Sequence, residues 1–174
     1  KLKEADWIFE EKGELKISIN HLVEHPGDLL LLWEVVREKG FNFSELRQIV
    51  KSINSESGKI FENENYLLVR DRDYFIISKK EFAAGEFQIE ELNGSLNFNN
   101  GVLSFELIER PSNFHNNGSI AYLDADCLKF PLKLRPWKNG DKFQPLGMQG
   151  EKKLSDFMID VKMPQNQKRK QYVL

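Results

Sequence analysis

"LLLLWEVVREKGFNFSELRQIVKSINSESGKIFENENYLLVRDRDYFIIS", residues 29–78, decides the fold, because the period of its apolar residues changes partway along. Asp28 stands before 29–39 as a helix cap, and Gly40 lies just past the end, where a left-handed residue closes a helix. A second helix is expected in 41–54, with Ser44 as its N-cap. Leu46, Ile49, Val50 and Ile53 recur there at i, i+3, i+4 and i+7, one apolar stripe. From residue 64 the spacing becomes that of strands. "ENYLLVRDRDYFIIS", 64–78, reads as two strands around a charged turn with Asp71, Arg72 and Asp73 at the tip. Upstream, "GELKISINHL" alternates as a short strand or an extended entry segment.

Beyond residue 80 the pattern is that of β structure. "EFQIEEL", "GVLSFELIER", "GSIAYLDADCL" and "KFPLKLRPW" are strand candidates. Asn93-Gly94, Asn99-Asn100-Gly101 and Asn116-Asn117-Gly118 break them as turn formers, and an antiparallel meander is expected. Helical spacing then returns. Leu154, Phe157, Met158 and Val161 form a stripe on a helix expected over 152–161, and Pro164 suits the first turn of a further short helix. The fold class is α+β: a helical module over residues 1–80, then a β-rich module over 81–174 with short helices at its end.

The totals exclude several classes of protein. A chain of 174 residues with 40% hydrophobic and 30% charged residues is globular, and 13 Phe with 3 Trp supply its core. The longest apolar run, 29–33, is too short to cross a bilayer, so no membrane association is expected. No secretion leader is visible, and the start at Lys1 rather than Met is expected to mark a piece of a longer protein. The single cysteine, Cys127, excludes an internal disulfide framework and fits a cytoplasmic location; it is expected as a small buried hydrophobe. Of the histidines, only His21 and His25 have ligand-like spacing, and Pro26 argues against a helix there and so against zinc. There is no Ser/His/Asp or Cys/His set, and the pairs Asp71/Asp73 and Asp124/Asp126 read as solvated edges or turns. This is the equipment of a binder rather than a catalyst.

The net charge of −2 hides an asymmetry. Residues 1–128 carry 14 Lys+Arg against 23 Asp+Glu, whereas 129–174 carry 11 against 4. A basic end on an acidic body points to a polyanion or to solvated surface. Within "RPWKNGDKFQPLGMQGEKKLSDFMIDVK", 135–162, tight turns are expected at Asn139-Gly140 and at Gly147 to Gly150, and no nucleotide-binding phosphate loop is present. Lys152 and Lys153 fall at an expected helix start, where the macrodipole disfavours cations, and so imply an external anion. Lys168, Arg169 and Lys170 follow, and Arg135, Lys138, Lys142 and Lys162 complete a set interleaved with Trp137 and Phe143. Both aromatics are expected to pack in core or turns, and Met148 to fill a gap.

The string from Leu134 to Leu174 resembles the C-terminal domain of the bacterial tRNA(Ile)-lysidine synthetases. Its marks are Arg135, Gly140-Asp141-Lys142, Pro145, Gly147-Met148, Lys152-Lys153-Leu154, Asp156-Phe157, Pro164 and Arg169. The stretch 31–77 is similar to that family's preceding domain, with its helix pair, its Ser57-Gly58-Lys59 turn and its strand pair. The resemblance implies part of a ligase that uses ATP and Mg to join free lysine to C2 of the wobble cytidine of a minor isoleucine tRNA. The family's ATP-pyrophosphatase domain with its Ser-Gly-Gly-x-Asp-Ser loop is absent from these residues, as are strands expected after "YVL". These residues are therefore expected to hold the tRNA, to bind no cofactor and to be inactive alone. The basic set Arg135, Lys138, Lys142, Lys152, Lys153, Lys162, Lys168, Arg169 and Lys170 would contact the acceptor stem and body of tRNA(Ile). Two rival readings remain: a protein-interaction module that forms a homodimer, and a free-standing RNA-binding protein.

Overall fold

The computed structural model describes residues 6–81, 83–98, 101–115 and 117–174. They are α+β, with helices early, antiparallel sheets, and short helices near the C-terminal end. The chain divides into two compact units, Lys1–Phe82 with Gly140–Lys170, and Ala83–Asn139 with Gln171–Leu174.

The first unit opens with a hairpin, β1 (Ile8–Glu11) and β2 (Glu14–Ser18). Ser18 then caps α1 (Ile19–Glu24) by accepting from the His21 amide at 3.3 Å. Pro26 does not prevent this helix, as the sequence reading supposed, because it constrains only the residue before it. His25 leaves the helix at φ −126°, and the turn closes one residue short of the proline. Next come α2 (Leu29–Glu38) and α3 (Phe43–Lys51). Asp28 stands before α2 but does not cap it; its carboxylate meets His21 Nε2 at 2.7 Å instead. The N-cap of α3 is Asn42, not Ser44. Asn42 accepts from the Glu45 amide and Glu45 accepts from the Asn42 amide, a reciprocal box that a serine two residues later could not close.

After the helices, β3 (Ile60–Glu62), β4 (Tyr66–Asp71) and β5 (Tyr74–Lys79) complete an antiparallel sheet of order β1-β2-β5-β4-β3. The β4–β5 hairpin turns through Arg72-Asp73 as the sequence predicts, with Arg72 at φ +45°. Ile17, Leu68, Phe75 and Ile77 of the sheet join Leu22, Leu32, Val36, Phe41, Leu46 and Ile49 of the helical insertion in one core. Leu67, Val69 and Ile76, on the sheet's opposite face, are buried as well. Burial on both faces is why "YLLV" and "YFII" read as continuous apolar runs.

In the second unit, β6 (Phe87–Ile89), the hairpin β7 (Gly94–Phe98) with β8 (Gly101–Phe105), and β9 (Leu132–Pro136) do not form the expected meander. Strand β6 pairs with β9, and β7–β8 is a sheet of its own. Strand β7 begins at Gly94, one of the expected turn formers, in a segment that is not among the strand candidates. Residues 118–128 form no strand. Asp124 accepts from the Asp126 amide at 3.1 Å and starts a 3-10 turn over Ala125–Cys127, so local side-chain bonding overrides the alternation. Cys127 is exposed rather than buried, and the neighbouring carboxylate of Asp124 raises its thiol above the ordinary value. Of the expected turn clusters, Asn99, Asn100 and Asn116 lie outside the described residues.

The chain then re-enters the first unit through β10 (Lys142–Phe143), β11 (Lys152–Lys153), α4 (Leu154–Asp160) and α5 (Gln165–Lys168). Helix α5 packs against β4. Asn166 and Gln167 both donate to the buried Glu14 carboxylate of β2. The last strand, β12 (Tyr172–Val173), belongs to the second unit and pairs with β9, giving the order β12-β9-β6.

Candidate nucleic-acid interface

Lys142 and Phe143 pair antiparallel with Lys153 and Lys152, so β10 and β11 form a two-stranded ribbon. The loop between them is tied by Met148 N–H to the Pro145 carbonyl at 3.1 Å and by Gln144 Nε2 to the Met148 carbonyl at 3.2 Å. Positive φ at Gly147 (+78°) and Gly150 (+96°) lets the chain reverse there. Directly opposed residues share a face of a ribbon. On one face Phe143 meets Phe157 edge-on at 5.3 Å, and Lys152 lies 5.9 Å over the Phe157 ring with its ammonium 2.6 Å from Asp160. On the other, Lys142 and Lys153 stand opposite one another, both exposed. Like charges directly opposed are destabilising on a ribbon. Lys153 also occupies the N-cap of α4 and makes no side-chain cap bond there. At the loop tip Leu146 and Met148 are exposed, so Met148 fills no gap.

The nine predicted cations are shared between the two units. Lys142, Lys152, Lys153, Lys162, Lys168, Arg169 and Lys170 belong to the first unit, and Arg135 and Lys138 to the second. Several meet this chain's own carboxylates. Arg169 lies 3.1 Å from Glu62, Lys170 3.4 Å from Glu81, Lys142 3.2 Å from Glu151 and Lys138 3.6 Å from Glu86. Arg135 donates to the Pro136 carbonyl, and Lys162 is exposed beyond α4 at φ +55°. The Arg169 hydrogen bond holds the Glu62 carboxyl below its ordinary value, and Lys133 followed by Lys138 does the same for Glu86. Surface pairs of this kind contribute only about 0–1 kcal/mol each, so a phosphate can displace them.

Two other features bear on chemistry. His21 and His25 do come together, ring centroids 4.3 Å apart, with Trp7 stacked on His21 at 4.4 Å. They are packed as a column of rings, and among the described residues no group of three His, Cys, Asp or Glu is placed to hold a metal ion. Among those residues, too, no helix is long and apolar enough to cross a membrane. Asp160 was within foreseeable reach of Lys152, but the carboxylate partners of the other cations were not foreseen. Glu62 is 107 residues from Arg169, and no spacing rule reaches that far.

The sheet with a three-helix insertion between its second and third strands occupies most of residues 10–80, and these residues match the family of the TilS substrate binding domain. Similarity extends well past it. A tRNA(Ile)-lysidine synthase of Parabacteroides distasonis is 35% identical over 161 residues, 91% of this chain and 37% of that protein. The protein of the same name from Bacteroides thetaiotaomicron is 29% identical over 164 residues, 91% of this chain and 35% of its own length. One from Clostridium acetobutylicum is 33% identical over 100 residues, 56% of this chain and 21% of that protein. The chain is thus homologous to ligases of tRNA modification, and it spans little more than a third of the relatives that match nearly all of it.

Proposed function

We propose that this chain holds the tRNA for a cytoplasmic tRNA(Ile)-lysidine synthase. In that reaction, which uses ATP with Mg, the oxygen on C2 of the wobble cytidine of a minor isoleucine tRNA attacks the α-phosphorus of ATP and pyrophosphate leaves; the amine of free lysine then attacks C2, loses a proton and expels AMP. These 174 residues carry no phosphate-loop sequence for that step. Their part is orientation, which lowers a barrier without any group of the chain touching the reacting bond. The observation that carries the reading is the opposed pair Lys142 and Lys153 on the open face of the ribbon. Two exposed cations forced opposite each other lose their mutual repulsion when a phosphate lies between them. Lys138, Lys152, Arg169 and Lys170 extend the contact by exchanging internal carboxylates for phosphates, as Lys142 exchanges Glu151, and Arg135, Lys162 and Lys168 add to it.

The test is the salt dependence of binding to a transcribed isoleucine tRNA. Each phosphate contact contributes roughly 0.7–0.9 to the slope of log K against log salt. Changing Lys142 and Lys153 together to alanine is expected to flatten that slope by about 1–2 and to weaken binding alike for tRNAs of different sequence. A slope equal to that of the unaltered protein would remove the ribbon from the interface.

A further inference from the structure

On the helical side of the first unit, the α2–α3 hairpin presents a run of cationic and aromatic side chains, of which Trp33 is half-buried against the core and the others are exposed. The Arg37 guanidinium carbon lies 6.0 Å from the centroid of Trp33. Trp33 meets Phe43 edge-on, 5.7 Å between centroids and 89° between planes. Arg47, four residues beyond Phe43 on α3, shares its side of that helix. The order is cation, ring, ring, cation across two helices. Phe43 is 62% exposed, neighbouring Leu30 is 66% exposed, and both arginines are exposed.

The charges distinguish this face from the C-terminal basic set. Among the described residues neither Arg37 nor Arg47 forms an ion pair with a carboxylate, although Glu34, Glu38 and Glu45 lie on the same two helices. Glu45 is committed to the Asn42 amide. Two exposed guanidinium groups that make no ion pair among the described residues, flanking an open aromatic ring, match the chemistry of a nucleotide: a π-face with phosphates on either side. Trp, Phe and Arg also anchor protein interfaces, but a protein partner would leave both guanidinium groups in need of placed carboxylates, whereas RNA supplies a phosphate at every residue.

We propose that the α2–α3 face is a stacking platform for an unpaired nucleotide of the bound RNA. Phe43, backed edge-on by the half-buried Trp33, receives the base, and Arg37 and Arg47 receive the adjoining phosphates. The proposal rests on the tRNA-holding reading and adds to it a second contact, one that requires an unstacked base rather than duplex backbone.

The experiment uses the intact polypeptide with two probes, the transcribed isoleucine tRNA and an oligouridylate of about 12 nucleotides, within the span that one such surface covers. Phe43→Ala is expected to weaken oligouridylate binding about 10-fold, Phe43→Tyr to preserve it, and Arg37→Ala with Arg47→Ala to weaken both probes. Ultraviolet irradiation of the complex is expected to leave a uridine adduct on the peptide carrying Phe43. Because Phe43 is exposed, circular dichroism melts of the variants should match the parent. Undiminished oligouridylate binding by Phe43→Ala, with no adduct at residues 33–47, overturns the platform while leaving the tRNA-holding reading intact. No tRNA binding by the parent protein overturns both. A change in sedimentation of the variants with unchanged RNA affinity assigns the face to a protein contact and overturns the platform.

Discussion

Glu14 sits 6% exposed in β2 and takes hydrogen bonds from two side-chain amides. Asn166, 1% exposed, donates at 2.8 Å and has its own oxygen Oδ1 without a partner. An acceptor withdrawn from such a site leaves a buried N–H whose desolvation is uncompensated, at a cost of about 1–3 kcal/mol. Glu14→Ala is therefore expected to lower the unfolding free energy by that amount, read as a lower urea midpoint at an unchanged m value, and Glu14→Gln to cost less because an acceptor remains. Equal stability of Glu14→Ala and the parent would show that the α5 contact contributes nothing to the first unit. None of this was legible in the sequence. Glu14 reads as one more acid in an acidic half, and Asn166 and Gln167 as polar spacers in "PQNQKRK". The cations were legible as residue types, but not as pairs. Lys152 turns back onto Phe157 and Asp160 while Lys153 faces outward, a difference set by ribbon register and not by composition.

At the scale of elements, α3 is held at its start by the reciprocal bonds of Asn42 and Glu45, both on the exposed side of the helix. Asn42→Ala removes one partner and frees the other, so the first-turn amide of Glu45 must turn to water; a loss of about 0.5–2 kcal/mol is expected. Thermal melting monitored by circular dichroism measures it, and an unchanged melting temperature would count against the box. Because α3 begins at Phe43, the same variant should also loosen the proposed stacking platform. Elements made by near neighbours in the chain were readable. The stripe Leu46, Ile49, Val50 and the hairpin about Arg72-Asp73 follow from local period and turn chemistry, and Gly40 at φ +84° ends α2 where expected. Elements made by distant partners were not. Strands β6 and β9 carry no mark that they pair with one another across the β7–β8 hairpin. Residues 118–128 alternate as a strand does, yet find no neighbour and fold locally about Asp124. Periodicity reports a face to be covered; it does not name the cover.

The whole molecule divides unequally in its means of stability. Phe41, Phe75, Ile17, Leu32, Leu68, Ile77 and Met158, all nearly inaccessible, belong to the first unit. In the second, Ile89 and Leu134 are the buried apolar residues among those described, and Val102, Leu107, Ile108, Phe114, Ile120 and Leu123 are exposed. Burial of apolar surface is the dominant favourable term in folding, so a unit with two buried anchors opens at a smaller free energy than one with a continuous core. Native-state hydrogen exchange is expected to separate them. Amides of β4 and β5 should exchange only through global unfolding, and those of β6 and β9 through an earlier opening, with protection lower by at least 10-fold. Ligand that binds the folded second unit raises its opening free energy by mass action. Adding the isoleucine tRNA should therefore slow exchange at Phe87–Ile89 and Leu132–Pro136 if Arg135 and Lys138 touch the RNA. It should leave those amides unchanged if only the first unit does. Equal protection of β4 and β9 without RNA would contradict the unequal cores, since it requires the two units to unfold as one.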